Sequence, residues 1–137
     1  MTDTLRTSIF VAGAGMRAQG TRLRVISENV ANADSTAKVA GGDPYRRKTI
    51  SFKDQLDRSL NADLVKVREI GQDPSDFKIR HEPSHPAADE DGYVKYPNVT
   101  KLVEIMDMRE AQRSYEANLS VIEVTKSMVS RTLDLLR

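Results

Sequence analysis

Two runs of apolar residues, one towards each end of the chain, recur in steps of four and three, and this spacing constrains the fold more than any other feature. Near the N-terminus the series is Leu5, Ile9, Ala12, Met16, Gln19, Leu23, Ile26 and Val30, with Gln19 its only polar member. On a helix these positions share one face, and a face of this kind is a coiled-coil seam that buries itself against another helix. Thr2 or Asp3 is placed to cap its start, and Asn32 with Asp34-Ser35-Thr36 to stop it, which predicts about 30 residues of helix and roughly 45 Å of length. Gly13, Gly15 and Gly20 lie inside that segment. Each costs about 1 kcal/mol relative to Ala in a helix interior, so the helix is expected to owe its order to a packing partner.

The second series, read backwards, is Leu136, Leu133, Val129, Lys126, Ile122, Leu119, Tyr115, Gln112, Met108 and Ile105, apolar except at Lys126 and Gln112. Val103, Met106, Val121, Val124 and Met128 lie beside it. That makes the apolar stripe wider than a two-stranded coiled coil needs, wide enough to touch more than one helix. Pro97, Asn98 and Thr100 supply a start signal, and no Gly or Pro follows, so a helix of roughly 55 Å is expected. The seam continues to Leu136, which leads one to expect that something covers it.

Residues 33–97 hold all five prolines and four of the seven glycines. Short alternating runs at 48–52, 64–70, 77–80 and 93–96 are bounded by turn residues such as Asp73-Pro74 and Asp91-Gly92, which predicts a small, irregular β-rich insert. The stretch 37–43, with Gly41-Gly42, reads as a flexible loop. The expected fold class is therefore mainly α. A long helix at 1–33 and another at 98–137 pair as an antiparallel-type coiled-coil hairpin, one discontinuous helical domain, with the linking β-rich and loop segment at 34–97 between them.

Composition narrows the function. The formal net charge of +1 is spread evenly along 137 residues, so no segment offers the basic footprint that nucleic acid or anionic lipid requires. With no Cys there is neither a disulfide nor a thiolate nucleophile or metal ligand. The best apolar stretch near the N-terminus, 9–16, is broken by Gly13 and Gly15 and preceded by Asp3, so neither a cleaved signal peptide nor a membrane span is expected.

Three local motifs suggest chemistry, and each has a plainer explanation. His81-Glu82-Pro83-Ser84-His85 fits the H-E-x-x-H pattern of zinc proteases, which needs both imidazoles one turn apart on an unbroken helix. Pro83 and Pro86 forbid that helix, and a Pro-rich loop is expected instead. Asp89-Glu90-Asp91-Gly92 resembles the middle of a calcium-binding EF-hand loop, but Ala87 and Asn98 would then stand where an acid and a bidentate Glu are needed, so an acidic turn is expected. Arg46-Arg47-Lys48 is a basic triplet without a wider basic surface, better suited to a strand edge or a salt bridge between subunits than to phosphate. No Ser-His-Asp set or phosphate-binding loop is evident. Hence no enzyme activity, cofactor, metal or small-molecule substrate is expected.

A more specific signal lies in combinations of residues. Ser27-Glu28-Asn29-Val30-Ala31-Asn32-Ala33-Asp34-Ser35-Thr36 resembles the signature that ends the N-terminal helix of the bacterial flagellar rod and hook axial proteins. Four more blocks resemble the proximal rod members of that family: 42–48, 85–94 with Pro97-Asn98-Val99, 111–118 with Arg113-Ser114-Tyr115-Glu116-Ala117-Asn118, and Thr125-Lys126-Ser127-Met128. They fall in the family's order and span nearly the whole chain. Ser35-Thr36-Ala37-Lys38 departs from the T-P-G-Y-[KR] run of many hook and distal-rod relatives, because Tyr45-Arg46 comes later.

The resemblance implies a structural subunit of the flagellar basal-body rod, crossing the periplasm, that transmits torque and leaves a central export channel. It implies other rod proteins and further copies of the chain as partners, and delivery by the flagellar type III export apparatus without a cleaved signal peptide. The two seams would then supply the assembly interface: Leu5, Ile9, Met16, Leu23 and Ile26 on one helix, Leu119, Ile122, Val129, Leu133 and Leu136 on the other. Asn29 and Asn32 are expected to hydrogen-bond the helix end, and Tyr115 and Asn118 to bond across the pair. The same heptads would also suit a cytosolic helical-hairpin adaptor with a chaperone-like role.

Overall fold

The computed structural model describes the backbone of residues 2–135 and the side chains of residues 4–135. In chain order the elements are α1 (Thr2–Ala31), β1 (Lys48–Asp57), β2 (Ala62–Gln72), β3 (Lys78–His81), β4 (Tyr93–Tyr96) and α2 (Lys101–Asp134). Two helices thus flank a small β insert. α1 has 30 residues and α2 has 34, about 45 Å and 51 Å at the α-helical rise. The side chains of Thr2 and Asp3, and Leu136, lie outside the described residues.

α1 stops where the Asn-rich signature begins to bond to its own backbone. The Asn32 amide N–H and Nδ2 both donate to the carbonyl of Glu28, at 3.1 and 2.8 Å. Ser35 closes the next turn, its N–H and Oγ donating to the Asn32 carbonyl. These bonds satisfy carbonyls that the helix end leaves without partners. α2 begins just after Asn98 and Thr100, the carbonyl of Thr100 accepting the first bond, from the Glu104 N–H.

The insert is two separate two-stranded sheets, β1 with β2 and β3 with β4. β1 and β2 are joined by only 58–61, which allows only an antiparallel hairpin. Asp57 builds that turn: its Oδ1 accepts from the Ser59 N–H, the Ser59 hydroxyl and the Leu60 N–H. Asn61 follows at φ 48°, a left-handed position that Asn tolerates well. β3 and β4 are antiparallel, with Lys78 opposite Tyr96 and His81 opposite Tyr93. β1 runs five residues beyond the alternation expected at 48–52, because Lys53 to Asp57 are held by pairing and not by a buried face. The loop expected at 37–43 is present, turning at Gly41 with φ +69°.

Contacts divide the chain into two compact units: residues 1–23, 51–69 and 109–137, and residues 24–50 and 70–108. They have different interiors. All five of the largest fully buried side chains, Glu104, Val94, Val99, Asn29 and Pro97, belong to the second unit. The buried residues of the first are mostly small, with Ala12, Ala14, Ala18, Ala111 and Thr125 beside Leu64. Within it α1 and α2 run antiparallel, since Gly15 lies against Asn118 and Arg22 pairs with Glu110. An adjacent face of α1 meets β2, where Ala14, Arg17, Ala18 and Thr21 share a cavity of about 230 Å³ with Val65, Lys66 and Val67.

The expected seam coincides only in part with the buried residues of α1, where Ala14, Ala18, Val25 and Asn29 are buried outside it, and it parts company with the buried face on α2. On α1, Ala12 and Ile26 are buried and Leu5, Ile9, Met16, Gln19, Leu23 and Val30 are half-buried. On α2 the innermost positions are Glu104, Ala111, Asn118 and Thr125, spaced by seven. Of the expected seam, Met108, Tyr115 and Ile122 are half-buried, while Ile105, Leu119, Val129 and Leu133 are exposed. The physical reason is proximity. Gly15 has no side chain, and a small or polar series lets the helix backbones approach where Leu or Ile would hold them apart.

Candidate functional site

In the second unit, the C-terminal turns of α1, the start of β1 and the first turn of α2 meet around one amide and one carboxylate. Asn29 is 1% exposed and Glu104 is fully buried. A buried amide with unmet bonds would be destabilising, and Asn29 meets all of its own. Its Nδ2 donates to the Lys48 carbonyl at 2.9 Å and to Glu104 Oε2 at 3.1 Å. Its Oδ1 accepts from the Tyr45 hydroxyl at 2.8 Å and from the Lys48 N–H at 2.9 Å.

Glu104 Oε1 accepts from Arg47 Nε at 2.6 Å, a charge-assisted bond. Burial acts against the Arg47 charge, but the bond and charge of Glu104, aided by Asp73 and Asp107, outweigh it and raise the guanidinium pKa. Burial likewise raises the pKa of the Tyr45 hydroxyl, keeping it a donor. Glu104 also stands in the first turn of α2, where the helix dipole favours a negative charge.

The bonding continues outward. The Arg47 N–H donates to Asn98 Oδ1 at 2.8 Å, and Asn98 Nδ2 donates to the Asp73 and Ser75 carbonyls. Arg46 donates to the same two carbonyls and lies 4.2 Å from the centre of the Phe77 ring. Lys48 pairs with Glu28 at 2.7 Å, and Lys101 pairs with Asp34. The result is a polar clasp in which every strong donor and acceptor just described is answered from within the chain.

Asn32 bonds the helix end as expected, whereas Asn29 reaches across to β1 and α2. Asn118 donates to Ser114 of its own helix at 2.9 Å, and its amide rests against Gly15. Tyr115 is half-buried. The basic triplet serves as an internal anchor in place of the strand edge or intersubunit bridge expected of it. Glu104, the centre of the clasp, did not stand out in the sequence, although it lies seven residues before Ala111 on the innermost face of α2.

His81 ends β3 with its ring 5.0 Å from that of Tyr93, and His85 Nδ1 accepts from the Ala87 N–H. The two imidazoles therefore sit on a strand end and a turn, not on one helix face. Asp89 Oδ1 accepts from the N–H groups of Asp91 and Tyr93, forming the turn into β4. Gly92 completes it at φ +81°, where a Cβ would come within 3.0 Å of Pro83 Cγ. Among the described residues, no group of three or more His, Asp or Glu is placed to hold a metal ion, and no helix is long and apolar enough to cross a membrane.

Fold and clasp together define a class: a protein of two long terminal helices joined by a β insert, with an elaborate polar site that holds the chain together. Residues 90–135 match the family model for the C-terminal region of flagellar basal body rod FlgEFG proteins. The chain is 50% identical over 135 residues to the flagellar basal-body rod protein FlgC of Agrobacterium fabrum, covering 98% of this chain and 97% of that one. It is 37% identical to FlgC of Bacillus subtilis, covering 93% and 95%, and 39% identical to FlgC of Salmonella typhimurium, covering 91% and 92%. The chain belongs to the FlgC family of flagellar basal-body rod proteins.

Proposed function

We propose that this chain is a structural, non-enzymatic subunit of the bacterial flagellar basal-body rod. The observation that carries the reading is half-identity, over nearly the whole chain, to a relative named as a rod protein. The surface of α2 adds physical support. Val103, Val121, Val124 and Leu133 are all exposed along one helix, an apolar display that a chain acting alone has no reason to keep.

In this proposal the chain joins other rod proteins and further copies of itself in the proximal rod, crossing the periplasm. It arrives through the flagellar type III export apparatus without a cleaved signal peptide. The assembled rod transmits torque around an export channel. Residues 1–33 and 98–137 pair as a coiled-coil hairpin, and 34–97 link them. Among the seam residues, exposed Leu119, Val129 and Leu133 are assigned to neighbouring subunits, together with Leu136. Leu5, Ile9, Met16, Leu23, Tyr115, Asn118 and Ile122 are half-buried and serve both the internal pair and its neighbours, while Ile26, Asn29 and Asn32 fix the end of α1.

The test is mass spectrometry of detergent-extracted basal bodies from cells making the wild-type chain or Leu119→Asp/Ile122→Asp. Wild type should be recovered at levels comparable to other rod components and the double variant should be absent. Normal recovery of the variant, or a wild-type chain found only in the cytoplasm, would refute the proposal.

A further inference from the structure

The groups of the polar clasp are answered from within the chain, but another set of converging polar side chains is not. The second turn of α1 and the turn between β1 and β2, both in the first unit, border a cavity of about 380 Å³ lined by Arg6, Thr7, Ser59, Leu60 and Asn61. Among the described residues Arg6 makes no ion pair, its guanidinium lying only against the Phe10 ring, 5.7 Å from the ring centre. The Thr7 hydroxyl and the Asn61 amide make no hydrogen bond to any described residue. Elsewhere on α1 the hydroxyls of Ser8 and Thr21 donate back to the carbonyls of Thr4 and Arg17. Ser59 differs, because its hydroxyl proton goes to Asp57 Oδ1 at 2.6 Å and leaves its oxygen an acceptor alone. Asp57 fixes the turn and the helix fixes Arg6 and Thr7, so the lining is in place before any ligand arrives.

The chemistry of the lining selects the ligand. Arg6 offers a planar fork of N–H donors, Asn61 an amide N–H pair and Thr7 an O–H, and no acidic side chain lines the cavity. A carboxylate accepts two parallel bonds from such a fork. Leu60 adds an apolar wall, which suits the methylenes that carry a carboxylate on Asp or Glu and which a free phosphate would not use. We propose that this cavity is a socket for an acidic side chain, Asp or Glu, of a neighbouring rod subunit. This rests on the assembly reading above and names the chemistry of one of its contacts. Open to water, a pair with Arg6 is screened and contributes little. Covered by a neighbour it is desolvated, and a neighbour without the acid would cover the guanidinium unpaired. The socket therefore discriminates between neighbours more than it strengthens their binding.

The experiment has three arms. Arg6→Lys keeps the charge and puts a primary amine in the socket. Basal bodies from cells making that variant are treated with a water-soluble carbodiimide, which joins an amine to a carboxylate where the two touch, and are mapped by peptide mass spectrometry. Lys48 and Glu28, 2.7 Å apart within the chain, show that the reaction has worked. Residue 6 should be joined to an Asp or Glu in a species heavier than one chain. The internal link without one at residue 6, or residue 6 joined only within a single chain, would overturn the proposal while the assembly reading stands. In the second arm Arg6→Gln removes the charge, and its recovery in basal bodies should fall at least about tenfold. Its urea midpoint should stay that of wild type, because Arg6 is exposed and has no partner acid among the described residues. Wild-type recovery of Arg6→Gln would overturn the proposal even if Arg6→Lys failed to assemble. In the third, inorganic phosphate is titrated into the purified full-length chain and followed by NMR. Saturable binding that Arg6→Gln abolishes would mark a free-anion site and overturn the side-chain assignment; its absence is the expected result. A wild-type chain missing from basal bodies would overturn the assembly reading and the socket with it.

Discussion

Arg47 shows how one residue, through side chain and backbone together, can hold several distant segments at once. Its Nε bonds Glu104, its N–H bonds Asn98, and its carbonyl accepts from the N–H of Asp73. Arg47→Ala would leave the Glu104 carboxylate buried with Asn29 alone as partner. Removing one member of a buried pair destabilises by about 3–5 kcal/mol. The Arg47 side chain retains 24% exposure, so a loss near the lower end, about 3 kcal/mol, is expected in urea unfolding of the full chain. Arg46→Ala gives up bonds to two carbonyls and a stacked ring at the edge of the same unit and should lose about 1 kcal/mol. Equal losses would mean that burial of Glu104 is not what makes the clasp matter. Nothing in the basic triplet itself separates the two arginines. Their difference is made by a carboxylate 57 residues away.

At the scale of the element, the glycines of α1 are not equivalent. A Cβ on Gly20 would meet nothing within 4 Å, whereas one on Gly15 would stand 2.8 Å from Asn118 Oδ1 and 2.9 Å from its Nδ2. Gly20→Ala should therefore stabilise by about 0.5–1 kcal/mol, the ordinary helix gain. In Gly15→Ala the same gain is opposed by displacement of the Asn118 amide, and the net effect should be no gain or a loss. Gly15→Ala/Asn118→Ala should recover it, and a thermal-unfolding cycle over the four chains measures the coupling. Additive effects would mean that the close approach does not set the helix spacing.

The same comparison shows what periodicity can and cannot reveal. The helix existed in the sequence because apolar spacing and capping residues both favour one. The face it buries did not, because the innermost series on α2 is Glu, Ala, Asn and Thr, none of which reads as a seam. Likewise the second half of β1, from Lys53 to Asp57, carries no alternation and becomes a strand only because β2 lies beside it.

For the molecule as a whole, the concentration of ion pairs in the second unit sets its response to acid. The hydrogen bond from Lys48 holds the Glu28 carboxyl below its ordinary 4.5, Lys101 does so for Asp34, and Ser75 for Asp73, both below 3.8. A carboxyl whose pKa is lower when folded takes up protons more readily when unfolded. Its stabilisation is therefore complete above the ordinary value and fades as pH falls through the lowered one. The urea midpoint should be flat at neutrality and decline as pH falls through and below the ordinary carboxyl values. Lys48→Met, which removes the partner of Glu28, should flatten the decline; an unchanged slope would show that the pair has no part in it.

By itself the sequence determined the two terminal helices, their ends at the Asn-rich turn and after Pro97, the β character of the middle, and kinship to the rod proteins. The helices, their ends and the β middle follow from local spacing, capping and turn chemistry, which short stretches of chain carry in full, while the kinship rests on the resemblance of sequence blocks to that family. Only the tertiary structure decided that Glu104 is the buried centre, that Arg47 and Arg46 differ, that Asn29 reaches across to β1 and α2, and that much of the apolar stripe of α2 faces outward. Each of those outcomes depends on which groups meet across long separations in sequence, where an unpaired buried charge or one Cβ of extra volume outweighs local preference.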